Sequence, residues 1–321
     1  MPEEEANRRP QVLVPYPGPD PDPDALDIFV YLRPETNGVE VESTILSVIQ
    51  KCEEYREDIK LVYMANIPGG FITEQRIVER HYAVRLYYAV HGGEAFSDDM
   101  RRQFEDFYGE PFIPRRVLGA FEALREFEMR PEDLFSLWVE DSEITRIAGQ
   151  VVKRVRDRWV VNYDMPALLH KNNSDTDIAV MAFRTRAGYP QFFALASQMK
   201  ARLVERNLLN SRMPIARAVH LSRSPFEQLL DARDYLIDGA TSDSLWRESS
   251  FARFLTDRGL HIRHVQGLIE HPIVCFDFGV DAPLDQNLLD LCEGFTYEDA
   301  WAIINRMVSQ STIPGQLFYE L

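Results

Sequence analysis

The sequence predicts an α/β or α+β protein: two layered units with mixed sheets flanked by amphipathic helices, preceded by a disordered Pro/Asp tail. Three observations carry this expectation. Short apolar runs such as LDIFVYL and DIAVMAFR have strand character and alternate with segments of helical spacing. A length of 321 residues exceeds the usual size of a single core. A hydrophobic share of 45%, with 19 Phe and 13 Tyr, is enough to build two. The expected division is 1–25 for the tail, 26–150 for the N-terminal unit and 151–321 for the C-terminal unit.

In the tail, VPYPGPDPDPDA sets Pro15, Pro17, Pro19, Pro21 and Pro23 at every second position with acids between. That composition favours extended backbone without a core, so it reads as a solvated tail, with a ligand for a proline-binding module as the alternative. Order begins with a strand over 26–32, bounded by Arg33-Pro34. Asn37 with Glu40 suggests a capped helix whose Val41, Ile45, Val48, Ile49, Cys52 and Tyr55 share one face. KLVYMANI, 60–67, is a second strand, stopped by Pro68-Gly69-Gly70. One helix is expected from Thr73 through Ala89, where His91-Gly92-Gly93 ends it. Shorter helices follow around Met100 and Phe104, after Pro114, and after Pro131.

From 151 the period changes. VVKRVRDRWVVNY predicts a hairpin about Arg156-Asp157-Arg158, and DIAVMAFR, 177–184, is the clearest strand of the chain. A helix from about Pro190 to Arg206 and a strand over 215–222 follow. Ser224-Pro225-Phe226-Glu227 then combines a cap, a proline at the first helical position and an acid at the third. That helix is expected to end at Gly239, and another, capped by Ser242 or Asp243, to run to Gly259. The segments 260–265 and 273–278 look strand-like, and 284–292 and 297–308 look helical, the last with Thr296 and Asp299 in capping positions.

A formal charge of −16 repels phosphate backbones and anionic lipid, so no nucleic acid and no membrane surface is the expected partner. The one basic cluster, Lys153, Arg154, Arg156 and Arg158, is a candidate anion patch. Cys52, Cys275 and Cys292 lie far apart, which points to a reducing cytoplasm and not to a disulfide framework. No apolar run approaches the roughly 18 residues of a membrane span, and no apolar leader opens the chain.

No glycine-rich phosphate loop, nucleophile elbow or zinc-ligand motif occurs. His220, His261, His264 and His271 gather late in the chain, but an extended LHIRHV would point His261 and His264 to opposite faces, so neither a metal nor a cofactor is expected. The densest polar stretch, HKNNSDTD at 170–177, is rich in turn formers that bond their own backbone.

Part of the span from 27 to about 180 resembles the nucleoside diphosphate kinases. FVYLRPET looks like that family's first strand and its Lys-Pro-Asp, with Arg33 in place of lysine, and ERHY, 79–82, resembles its E-x-HY helix. The resemblance implies that His170, with Ser174 and Asp175 after it, takes the place of the phosphate-carrying histidine and that Arg33 neutralises phosphate charge. The chain departs from the pattern in lacking a glycine after His170, in spacing His170 four residues from Ser174 and in following it with a strand. The favoured expectation is therefore a non-catalytic binding or assembly protein, with a protein partner or a second copy of the chain. A phosphoryl-transfer enzyme and a small-ligand or nucleotide sensor are the alternatives.

Overall fold

The computed structural model describes residues 9–33, 36–51, 57–211, 218–238, 245–276 and 284–310. Expectations resting on 1–8, Cys52, Tyr55, Gly239, Ser242, Asp243 or Phe278 lie outside the described residues. The fold is of the α/β or α+β class, and one of its sheets is mixed. The chain divides into two compact units, the first made of 1–77, 172–269 and 292–303, the second of 78–171, 270–291 and 304–321. Each unit is assembled from separated stretches, so neither follows the contiguous division expected at residue 150.

The first unit is built on a five-stranded sheet, in the order Gln11–Val14, Ile59–Ile67, Ile178–Thr185, Leu26–Leu32, Val219–Leu221. Every pairing in it is antiparallel. All seven residues of Leu26–Leu32 are buried, because both faces of the sheet are covered. Alternation of side chains puts Asp27, Phe29 and Tyr31 on one face and Ile28, Val30 and Leu32 on the other. Phe183, opposite Ile28, meets Phe192 of the helix Gly188–Glu205, which packs on the helix Val39–Lys51. The Asp27 face receives Pro225–Tyr235 and Ser250–Asp257. The result is a three-layer unit, helices on sheet on helices.

The proline-rich segment is not the disordered tail its composition suggests. Gln11–Val14 forms the edge strand against Ile59–Ile67, and the chain then runs as an extended strap in which Pro15, Pro17, Pro21 and Pro23 are exposed while Tyr16, Gly18, Asp20 and Asp22 are half-buried. The two-residue period that looks like low complexity is that of an extended backbone with one polar face turned inward. Its partners, Arg184, Arg186 and Ser250, come from more than 150 residues along the chain, beyond the reach of local composition.

The second unit holds a four-stranded sheet, Val117–Gly119, Arg158–Val161, Gln150–Val155, Ile144–Ile147, whose first pair is parallel, and a three-stranded one, Leu284–Asn287, Ile273–Phe276, Met307–Gln310. Two apolar clusters lie against the four-stranded sheet. One gathers Phe104, Met100, Phe96 and Tyr88 with Val152, Trp159 and Val161; the other gathers Ala123, Phe127, Leu134 and Met165 with Leu118, Val155 and Val160. Gly92 closes the helix Ala83–His91 with φ of 54°, and a Cβ there would lie 2.5 Å from the Gly119 nitrogen. A Cβ on Gly119 would lie 2.4 Å from the Ala89 carbonyl. The paired glycines therefore allow two backbones to cross, which exceeds the helix-end role expected of Gly92.

Four other elements differ from expectation. The helix expected over Thr73–Ala89 is broken into Gly69–Glu74, Ile77–His81 and Ala83–His91, with Arg76 at φ 50° in the first break. Residues 260–265 are not a strand: Ile262–Glu270 is a helix burying Val265, Leu268 and Ile269, a helical spacing that a six-residue window cuts off. Leu284–Asn287 is a strand with Asp285 and Asn287 buried, so its inward positions are polar and hide the pattern. The last expected helix ends at Ile304, before the strand Met307–Gln310. Ser224 does cap its helix, its Oγ accepting the Glu227 N–H at 3.1 Å, and Thr296 and Asp299 cap each other's amides.

Candidate functional site

The residues singled out by sequence are divided between the two units. His170 ends the helix Met165–Lys171 with its side chain 70% exposed, and its Nε2 is 3.9 Å from Glu132 Oε1. After it, the Thr176 hydroxyl accepts the Asn173 N–H and donates to the Asn173 carbonyl, Asp175 donates its N–H to Asn173 Oδ1, and Asp177 accepts the Gly69 N–H. This is the self-bonding loop its composition suggests. Arg33 ends the strand Leu26–Leu32, half-buried, its N–H bonded to the Ala218 carbonyl; it belongs to the first unit and His170 to the second.

The basic cluster is split by strand alternation. Lys153 points into the apolar cluster of Phe127 and Leu134, where its ammonium donates to the Leu137 carbonyl and lies 4.1 Å from the Tyr163 ring centre. Burial pushes its pKa down. Arg154, on the opposite face, lies over Trp159 and pairs with Glu110 and Glu143. Arg156 lies over Phe127, and Arg158 pairs with Glu126 and Asp157. At Arg154 and Arg158 an anion would have to displace these acids. His264 lies on the helix Ile262–Glu270 and His261 just before it, with ring centres 6.1 Å apart, and among the described residues no group of three or more potential ligands surrounds a metal position.

Sequence reading missed two polar systems in the first unit. One lies along the helix Pro225–Tyr235, where every residue but Arg233 is buried. Burial of ionised groups is costly unless they are paired. Glu227 is bonded to the Arg223 amide and guanidinium, Asp234 to Arg233, and Asp231 accepts the Ser222 hydroxyl at 2.6 Å while lying 3.0 Å from His220 Nε2. His220 stacks on Tyr31 with centres 4.1 Å apart. Ser222 also accepts the Phe29 N–H, which makes it a bridge between strand and helix.

The other system clasps the strap. Asp27, 2% exposed, accepts the Tyr16 hydroxyl at 2.6 Å, the Ser250 hydroxyl at 2.6 Å and the Arg184 guanidinium at 2.7 and 3.1 Å. Arg184 also donates to the Gly18 carbonyl at 2.8 Å. Burial by itself would lower the pKa of Arg184, but the hydrogen bond and charge of Asp27 carry it above the ordinary range. Burial, then the Asp27 charge, pushes the Tyr16 hydroxyl well above the usual phenol. Ser250 Oγ donates to Asp27 and accepts the Asp20 N–H, which ties the helix Ser250–Asp257 to the strap.

Beside the clasp lies a cleft of about 400 Å³ between the strap and the helix Ser250–Asp257. Pro19, Pro21 and Pro23 form one wall, with Phe254 and Tyr297 on the other side. Arg258 lies 3.5 Å over the Phe254 ring centre and pairs with Glu298; Arg253 pairs with Asp257 at 3.1 Å. Asp22 is bonded by Arg186, and that hydrogen bond holds its carboxyl below the ordinary range. The motifs that would have disclosed the cleft are separated by more than 200 residues, and only the alternation of proline and acid hinted at it.

No protein-family model, curated protein or solved structure matches the chain. The site therefore stands on its geometry. No helix among the described residues is long and apolar enough to cross a membrane.

Proposed function

We propose that the protein is a binding protein without chemical turnover, and that its ligand sits in the cleft between the proline strap and the helix Ser250–Asp257. The observation that carries this reading is the cleft itself: about 400 Å³, lined by the strap prolines, Phe254 and Tyr297 with charged residues along it. Ser250, the hydroxyl that lines it, is committed to the Asp27 carboxylate. The reading joins the binding and sensing expectations; a reducing, cytoplasmic setting accords with Cys292 being a buried thiol. A protein partner or second copy finds support in the second unit, where Trp138 is 79% exposed. The phosphoryl-transfer alternative has less support, since the His170 side chain is 70% exposed near a helix end, with no water-excluding pocket about it among the described residues.

The test is a thermal-shift screen of metabolite-sized compounds on the wild type and Phe254→Ala. A ligand at about 100 times its Kd stabilises by roughly 2.7 kcal/mol, a readily measured rise. Compounds that stabilise the wild type but not the variant support the cleft. Compounds that stabilise both equally, or a broad screen without any Phe254-dependent shift, overturn it.

A further inference from the structure

Independently of the cleft, we propose that the segment around Trp138 in the second unit docks a basic segment of another protein, with an arginine of that partner lying on the indole and paired with Glu140.

Trp138 is 79% exposed, and among the described residues no ring or cation lies against it. Its exposure is not that of a loose tail. Leu134 before it is fully buried, Phe135 stacks on Tyr163 with ring centres 6.2 Å apart, and the Lys153 ammonium holds the Leu137 carbonyl. After it, the strand Ile144–Ile147 pairs with Gln150–Val155. Both ends are therefore pinned, and a partner that covers the indole has little chain left to order. Leu137 and Glu140 have extended dihedrals, and exposure alternates between them: Leu137 and Val139 are half-buried, Trp138 and Glu140 exposed. Trp138 and Glu140 thus leave the same side of an extended segment, about 7 Å apart at roughly 3.3 Å per residue.

Charge selects the partner. Residues 131–143 contain five acids and neither lysine nor arginine. Glu132 lies near His170, Asp133 is paired with Arg130 and Glu143 with Arg154, which leaves Glu140 and Asp141, exposed and without an ion pair among the described residues. An indole face attracts a cation, and arginine meets it with a flat group that can stack and donate at once. A carboxylate two residues away supplies the acceptor. Nucleic acid and anionic lipid are repelled by a formal charge of −16, and so is a second copy, which carries the same charge. Tryptophan and arginine are among the side chains that most often carry the energy of such contacts.

The test is fluorescence anisotropy with a fluorescein-labelled peptide that repeats Gly-Arg-Leu-Arg twice, and with counterparts that have lysine or glutamate in place of arginine. The arginine peptide is expected to bind the wild type, the lysine form to bind several-fold more weakly and the glutamate form not at all. Trp138→Ala should weaken the arginine peptide about tenfold while leaving the melting temperature unchanged, the mark of a contact residue that the fold does not need. Glu140→Gln with Asp141→Asn should weaken it about threefold and reduce the loss of affinity on adding salt. Equal binding by the wild type and Trp138→Ala would mean attraction by net charge alone and would overturn the proposal. No binding of the arginine peptide at millimolar concentration would do the same. Sedimentation of the unliganded protein checks the remaining route: a dimer that Trp138→Ala dissolves would mean that a second copy covers the indole, and the basic partner would be wrong.

Discussion

Replacing Asp27 with alanine should loosen the first unit at its strap. The carboxylate accepts four hydrogen bonds, from Tyr16, from Ser250 and twice from Arg184. Its removal leaves a guanidinium only 13% exposed with Asp20, 3.5 Å away, as its remaining counter-charge. Removing one partner of a buried pair costs about 3–5 kcal/mol, because the survivor stays desolvated. Tyr16→Phe removes one hydroxyl and leaves the ion pair, so about 1 kcal/mol is expected. Replacing both charges, Asp27→Leu with Arg184→Met, should cost far less than the sum of the single changes. Guanidinium denaturation measures the loss. Amide exchange at Val12, paired with Ala65 in the edge strand, reports whether the strap has come free. A cost below about 1 kcal/mol for Asp27→Ala, or additive single and double variants, would refute the view that a buried ion pair holds the strap.

Three further outcomes are expected. Gly119→Ala, whose Cβ would meet the Ala89 carbonyl at 2.4 Å, should lower the stability of the second unit by about 1–3 kcal/mol in denaturant titration, and an unchanged midpoint would contradict the backbone crossing. Burial pushes the Cys292 thiol up to about 12 from 9.0 and the Tyr63 hydroxyl up to about 12 from 10.0. The folded state then keeps protons that the unfolded chain releases, so stability should fall as pH rises from about 9 to 12; a urea midpoint constant over that interval would refute it. His170→Ala should change stability by less than about 0.5 kcal/mol. Neither it nor the wild type should form an acid-labile phosphate with labelled ATP; label in the wild type that vanishes in the variant would restore the kinase reading.

Much of the fold was legible because it is coded locally. LDIFVYL and DIAVMAFR became two of the three interior strands of the first sheet, and the Ser224–Glu227 cap formed as its residues imply. Failures came where a short window met a competing pattern. Val265, Leu268 and Ile269 need a longer window to show helical spacing, and the buried Asp285 and Asn287 mask a strand. Asn37 did not cap the helix after it, because its Oδ1 takes the Ala179 N–H from a strand 142 residues away. The candidate site was almost illegible for the same reason: Tyr16, Asp27, Arg184 and Ser250 are unremarkable in sequence and acquire meaning only through their meeting.

The strand Ile178–Thr185 lies between Leu26–Leu32 and Ile59–Ile67 and pairs with both. It is translated 111 residues after Ile67, the difference between positions 178 and 67. At about 5–20 residues per second, the earlier two strands emerge on the order of ten seconds before their shared neighbour exists. Throughout that interval, two apolar strands have unsatisfied edges open to any nascent or misfolded chain nearby. The first unit cannot mature in step with the ribosome, and its yield in the cell should depend on whatever shields those edges until the missing middle arrives.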